Sequence, residues 1–253
     1  MSYKYINEIA SPENLQKFLE FVDLAAGAGQ NVNNVWDIGD KLRNSPQMQL
    51  CLQAIQQDPA SAKMLEEKYI GPSYDIEAML KMPKSSLGWT YAKVMSTLGY
   101  DPQFYRLRPS IEEDIDYIAS RIRKTHDIHH IITGFSLDNL GELGVISVTV
   151  AQTRYPTFLL LDLLGLLMTF FTSDKLYSEE LSATEKGQTL GFKFELLSAG
   201  IKMGQEAKPL FPVKWEEGFE RPLDEWREEL NIKPFLDGPF SWYSHPQLQA
   251  AVL

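Results

Sequence analysis

Between Phe158 and Phe171, fourteen consecutive residues carry a single charge, Asp162. A stretch this apolar has to be hidden, and that limits the folds open to the chain. A membrane-spanning helix needs around 20 predominantly apolar residues, so this run is too short, and an acid interrupts it. A helix apolar on all sides belongs inside a bundle. Elsewhere there is no sustained period-2 alternation of strand length, no internal repeat and no low-complexity block. The expectation is therefore an all-α, single-domain multi-helix bundle with residues 157–172 as its central apolar helix. The helical domain is expected over residues 1–232. A Pro/Gly/aromatic-rich C-terminal tail over 233–253 is expected to run extended along its surface.

The other helices are marked by their ends. Ser11-Pro12 has the cap-then-proline order of a helix start, with Leu15, Phe18, Leu19, Val22 and Ala26 as the apolar stripe and 27–29 as the stop. A second helix is read over 32–43. Ser45-Pro46 opens a third, which Asp58-Pro59 breaks before helix resumes over 60–69. Residues 85–98 form another, stopped by Gly99. Ser182 with Glu185 has capping-box spacing and opens a helix to about residue 205. Gly187, Gly191, Gly200 and Gly204 in that helix point to close packing more than to ligand room. Residues 222–230 form the last short amphipathic helix.

Three of the four histidines fall in one segment, 110–144. Ser110 and Glu113 have capping-box spacing, and Gly134 fits the left-handed position past a helix end. Between them Ile111, Ile115, Ile118, Ala119 and Ile122 recur at helical spacing, and the stripe continues onto His126, His130 and Thr133. His126 and His130 lie roughly 5–6 Å apart on one helix face, where two imidazoles can meet one metal at about 2.0–2.1 Å. Asp127 borders that face, and Glu142 can return from the next helix. Two nitrogens and two hard oxygens suit zinc, iron(II), manganese or cobalt better than magnesium or calcium. A satisfied pair of core histidines is the competing reading of the same spacing. His129 is turned about 100° away and reads as a core or supporting histidine, and His245 as a surface one.

Other chemistries are excluded. The net charge of −10 and the absence of a basic run argue against nucleic acid. Cys51 is the only cysteine, so neither an internal disulfide nor a thiolate zinc site can form. The peptidase pattern H-E-x-x-H is absent. A second acid-x-x-His copy, as in di-iron bundles, is also absent, and no histidine precedes His126 to complete an HD-type phosphohydrolase.

The pattern H-D-x-x-H, eleven residues, then E, with G-F after the first helix, resembles the ubiquinone (coenzyme Q) biosynthesis protein four family. Further likeness lies in S-S-L-G-W-T-Y-A-K (85–93), L-G-Y-D-P (98–102), R-x-R-P-S-I-E (106–112), G-I-K-M-G-Q-E-A-K-P-L (200–210) and L-D-E-W-R-E-E-L-N-I (223–232). The resemblance implies a divalent metal, zinc, iron or cobalt before magnesium, with His126, Asp127, His130 and Glu142 as the candidate ligands; Asp127 stays open between ligand, support for a ligating histidine and catalytic base. It implies an isoprenoid tail, for which Phe158, Leu161, Leu164 and Met168 are the groove candidates. The implied reaction is decarboxylation, with or without oxidation, at ring carbon one of a polyprenylated hydroxybenzoate. The implied alternative is a lipid-binding organiser of the other quinone-biosynthesis proteins. The apolar run would also suit a homodimer. The first ten residues lack an apolar secretory core and an Arg-rich transit pattern. A bacterial-type member, or a chain trimmed of its leader, is therefore expected, cytoplasmic or at the membrane periphery and without a transmembrane helix.

Overall fold

A computed structural model describes residues 11–28, 31, 33–103, 110–172 and 189–252. Among these it has twelve α-helices and no strand, only two isolated bridges, Ser86 with Pro222 and Phe135 with Ser241. In chain order the helices are α1 (Pro12–Gly27), α2 (Asn33–Leu42), α3 (Pro46–Gln57), α4 (Pro59–Glu67), α5 (Ile76–Met79), α6 (Leu87–Leu98), α7 (Asp114–Thr133), α8 (Asn139–Thr153), α9 (Pro156–Thr172), α10 (Leu190–Glu206), α11 (Leu223–Glu229) and α12 (Pro246–Val252). No helix among the described residues is long and apolar enough to cross a membrane.

Side-chain caps set most of the helix starts. Ser11, Ser45 and Ser86 accept the N–H groups of Asn14, Met48 and Trp89 at 3.2, 3.1 and 3.1 Å. The Asp58 carboxylate accepts Ser61 N–H at 2.8 Å, so Asp58-Pro59 starts a new helix as well as ending the old one. The Ser182–Glu185 box, Gly29 and Gly187 lie outside the described residues. α7 begins three residues later than expected. Its cap is Glu113, whose N–H donates to Asp116 Oδ2 at 3.1 Å. Ser110 instead donates to Glu112. Arg43 fixes this register, because its guanidinium forks onto both Asp116 oxygens at 3.0 Å and reaches Glu113 at 3.0 Å.

The centre of the bundle is α7, not the apolar run. Every residue from Ile115 to Thr133 is buried. Burying charge needs partners, and each cation has one distant in sequence. Arg121 meets Glu216 at 2.7 Å, and Lys124 donates to the carbonyls of Ile70, Gly71 and Pro72 at 2.6, 2.9 and 2.6 Å. Arg123 lies 3.4 Å from the ring centre of Trp36 on α2. The apolar run forms α9, which buries Phe158, Asp162, Leu164 and Thr169 but turns Leu159, Leu163, Phe170 and Phe171 outward, Phe171 being 74% exposed.

α8 and α10 make the most extensive helix pairing. A Cβ on Gly200 would stand 2.3 Å from the Gly144 carbonyl oxygen, and one on Gly204 2.6 Å from that of Val148. These glycines serve close backbone approach. Residues 233–252 are not an extended surface strap. They contain a 3₁₀ turn at Trp242–Ser244 and α12, which packs on α6, and Trp242 and Leu248 are each only 1% exposed.

Candidate metal centre

α7 ends at Gly134, whose φ of 84° is the left-handed conformation glycine adopts without strain. Asp138 then caps α8, its Oδ1 accepting the N–H groups of Leu140 and Gly141 at 2.9 and 3.0 Å. Gly141 sits so tightly on Ser136 that a Cβ would come within 1.8 Å of its carbonyl oxygen. This turn brings Glu142, in the first turn of α8, back over the last turns of α7.

Three donor groups converge there. His126 Nε2 lies 2.9 Å from Glu142 Oε2, His130 Nε2 lies 3.3 Å from Glu142 Oε1, and the two Nε2 atoms are 3.3 Å apart. Metal bonds of about 2.0–2.2 Å at neighbouring coordination positions place donor atoms about 2.9–3.5 Å from one another. The spacing therefore fits one ion, and His126, His130 and Glu142 form a group that could hold it. The imidazoles are buried, whereas the Glu142 side chain is 44% exposed. The centre is thus closed behind by protein and open on the glutamate side. Two histidines and one carboxylate leave further positions free for other ligands.

The electrostatics also favour a cation. The Glu142 side chain is exposed along its stem, and the enclosure of its carboxylate end against α7 opposes ionisation, yet the two imidazoles beside it hold that carboxyl well below the usual carboxylate range. Burial likewise opposes protonation of His126, and Glu142 outweighs it and raises the ring's affinity for a proton. His130 Nδ1 faces the Phe135 carbonyl oxygen at 3.3 Å. A proton donated there leaves Nε2 free to face the centre, the usual way a ligand imidazole is oriented. The Phe158 ring packs against His126, with centroids 5.4 Å apart, and joins the centre to α9.

Asp127 is buried beside this group but is not one of its donors. Among the described residues it makes no hydrogen bond to either imidazole, and burial raises its carboxyl above the usual range. His129 is a core residue. Burial, with His126 nearby, pushes it down to about 3, and its ring lies 6.0 Å from that of Trp215. His245 is half-buried, in the turn before α12. Of the groove candidates, Phe158 and Leu164 are buried, and Leu161 and Met168 half-buried. Sequence reasoning missed the Phe135 carbonyl, because any residue supplies one. It also missed the Phe158–His126 contact, which only the α7–α9 packing creates.

A helical bundle with two buried histidines and one half-buried carboxylate converging on a point defines the class, a candidate metalloprotein of the all-α kind. The family model for Coenzyme Q (ubiquinone) biosynthesis protein Coq4 matches residues 13–235, and the chain belongs to that family. It is 31% identical over 160 residues to the mitochondrial ubiquinone biosynthesis protein COQ4 homolog of Anopheles gambiae, covering 63% of this chain and 51% of that protein. It is 28% identical over 180 residues to the mitochondrial ubiquinone biosynthesis protein COQ4 of Kluyveromyces lactis, covering 70% and 50%. The chain thus spans about half the length of these relatives. A crystal structure of a Nostoc punctiforme protein assigned to ubiquinone biosynthesis superposes with a TM-score of 0.70 at 24% identity, over 84% of this chain and 94% of that one. That likeness is one of fold.

Proposed function

We propose that this chain acts in ubiquinone biosynthesis as a metal-dependent decarboxylase of a polyprenylated hydroxybenzoate. The observation that carries the reading is the convergence of His126, His130 and Glu142 on one point, open on one side and touching the apolar helix α9 through Phe158. A divalent ion bound there, zinc, iron or cobalt before magnesium, would supply Lewis acidity toward the ring's oxygen substituents. His126, His130 and Glu142 hold the ion. Asp127, on the neighbouring face of α7, holds or accepts the proton that moves at ring carbon one. Phe158, Leu161, Leu164 and Met168 follow the isoprenoid tail along α9. In the simple reaction the bond from ring carbon to carboxyl breaks, carbon dioxide leaves, and the ring carbon takes one proton. In the oxidative form one dioxygen enters with two protons and two electrons from an external two-electron reductant, and a ring hydroxyl, carbon dioxide, water and the oxidised reductant result.

The second reading is a non-catalytic organiser that binds lipid and gathers other quinone-biosynthesis proteins. The apolar residues that α9 turns outward, Leu159, Leu163, Phe170 and Phe171, favour it. Elemental analysis of the purified protein, beside a His126→Ala/His130→Ala control, comes first. About one metal ion per chain, lost in the control, supports the centre. Aerobic and anaerobic turnover of a prenylated hydroxybenzoate, lost in Asp127→Asn with metal and fold retained, then supports catalysis. Metal without turnover in either condition leaves the organiser.

A further inference from the structure

The last four carbonyls of a helix have no partner within it, and at the buried end of α7 each of them has a partner. The His130 carbonyl accepts Gly134 N–H at 3.0 Å. The Ile131 carbonyl accepts Arg227 NH2 at 3.0 Å and the indole N–H of Trp242 at 3.4 Å. The Ile132 carbonyl accepts Arg227 Nε at 3.0 Å, and the Thr133 carbonyl accepts Phe235 N–H at 2.9 Å. Three of the four partners therefore come from residues 227–242. The same segment continues past the helix end. Trp242 N–H donates to the Gly134 carbonyl at 3.0 Å, and Ser136 N–H donates to Phe240 at 2.7 Å. These two bonds flank Phe135, whose own carbonyl faces His130 Nδ1.

We infer that residues 227–242, with Arg227 at their head, are the positioning device for His130. Arg227 and the 235–242 loop fix the end of α7 and the Phe135 peptide, and that peptide fixes the imidazole. The inference deepens the proposed metal centre and rests on it for its consequence, but the orientation of the ring is a property of the metal-free protein too. Arg227 is only 5% exposed, and its planar fork spans two carbonyls, a geometry that lysine cannot reproduce. Its contact with Asp224, which is 92% exposed, lies away from the helix end.

The test uses ¹⁵N-histidine-labelled, metal-free protein at a pH where the imidazole is neutral, with the His130 signal assigned through His130→Gln. The wild type is expected to show one resolved His130 ring state with Nδ1 hydrogen-bonded to the Phe135 carbonyl. Arg227→Lys is expected to lose that single ring state, and Asp224→Asn to keep it. Where Arg227→Lys does not fold, Trp242→Phe, which removes one indole donor, carries the test with a smaller shift. An unchanged His130 signal in the folded variant overturns the inference. Cobalt(II) affinity, measured against a competing chelator, is expected to fall about tenfold or more in Arg227→Lys, the usual loss when support for a ligand is removed. The imidazole signal decides the positioning role and cobalt uptake by the wild type decides the metal reading, so either can fail alone.

Discussion

Asp162 shows how much one buried group can set. It sits in the otherwise apolar α9, 4% exposed, with Ser147 Oγ donating to one oxygen at 3.0 Å and, among the described residues, nothing donating to the other. Burial pushes its carboxyl up to about 7, against the opposite pull of Ser147. In the unfolded chain the same carboxyl titrates near 3.9. Below pH about 4 both states hold the proton and no penalty arises. As pH rises toward about 7 the unfolded state ionises first, so stability falls across that window and then levels. Asp162→Asn stays neutral and removes this component. Denaturation midpoints at pH 4 and pH 8 should show the variant close to wild type at the lower pH. At the higher pH it should be more stable by on the order of a few kcal/mol. Equal pH slopes in the two proteins would show that Asp162 titrates normally.

At the scale of the element, glycine separates two kinds of helix contact. Gly200→Ala in α10 gains helix propensity of about 1 kcal/mol, but its Cβ would meet the Gly144 backbone at 2.3 Å, and backbone cannot turn aside. Overpacking of about 1–3 kcal/mol or more should dominate. Gly165→Ala in α9 meets only the end of the Leu143 side chain, at 3.1 Å, so it should be close to neutral or mildly stabilising. Urea midpoints of the two variants check the opposite signs. The packing glycines Gly200 and Gly204, the caps at Ser11, Ser45 and Ser86, and the stops at Gly99 and Gly134 were legible because each answers to a local rule. So was the His126–His130 spacing, with Glu142 as the returning carboxylate. The start of α7 was not, because Arg43, some seventy residues earlier, selects Glu113 over Ser110 as the cap. Nor was the central place of α7. Its charges look like a wet face until Glu216 and the carbonyls of 70–72 are brought to them, and only tertiary structure does that. The apolar run of α9 misled for the converse reason, since a helix can be apolar all round and still leave one side uncovered.

The whole molecule is held around α7 by contacts of opposite character on its two sides. At 100° per residue, Arg121 and Lys124 lie roughly opposite His126 and His130. On their side, three parts of the chain meet: the turn at 70–72, α7, and the 3₁₀ turn carrying Glu216. Arg121 NH1 and NH2 bond the two Glu216 oxygens at 2.7 and 3.0 Å, and Lys124 Nζ lies 3.4 Å from the same carboxylate, with the side chains of Arg121 and Glu216 fully buried. Two cations share one anion, so that anion has no redundancy. Glu216→Gln would leave both cations without a counter-charge in the interior, a loss of about 3–5 kcal/mol. The carbonyl bonds of Lys124 remain, which places the expected cost toward the lower end. The opposite side of the helix should not register the change. In the Glu216→Gln protein the denaturation midpoint should drop strongly, while the folded fraction binds cobalt(II) with wild-type affinity. A matching drop in cobalt affinity would mean that the clamp and the metal centre are one cooperative unit. Unchanged affinity would mean that α7 carries two separable tasks, one holding the bundle together and one presenting the histidines.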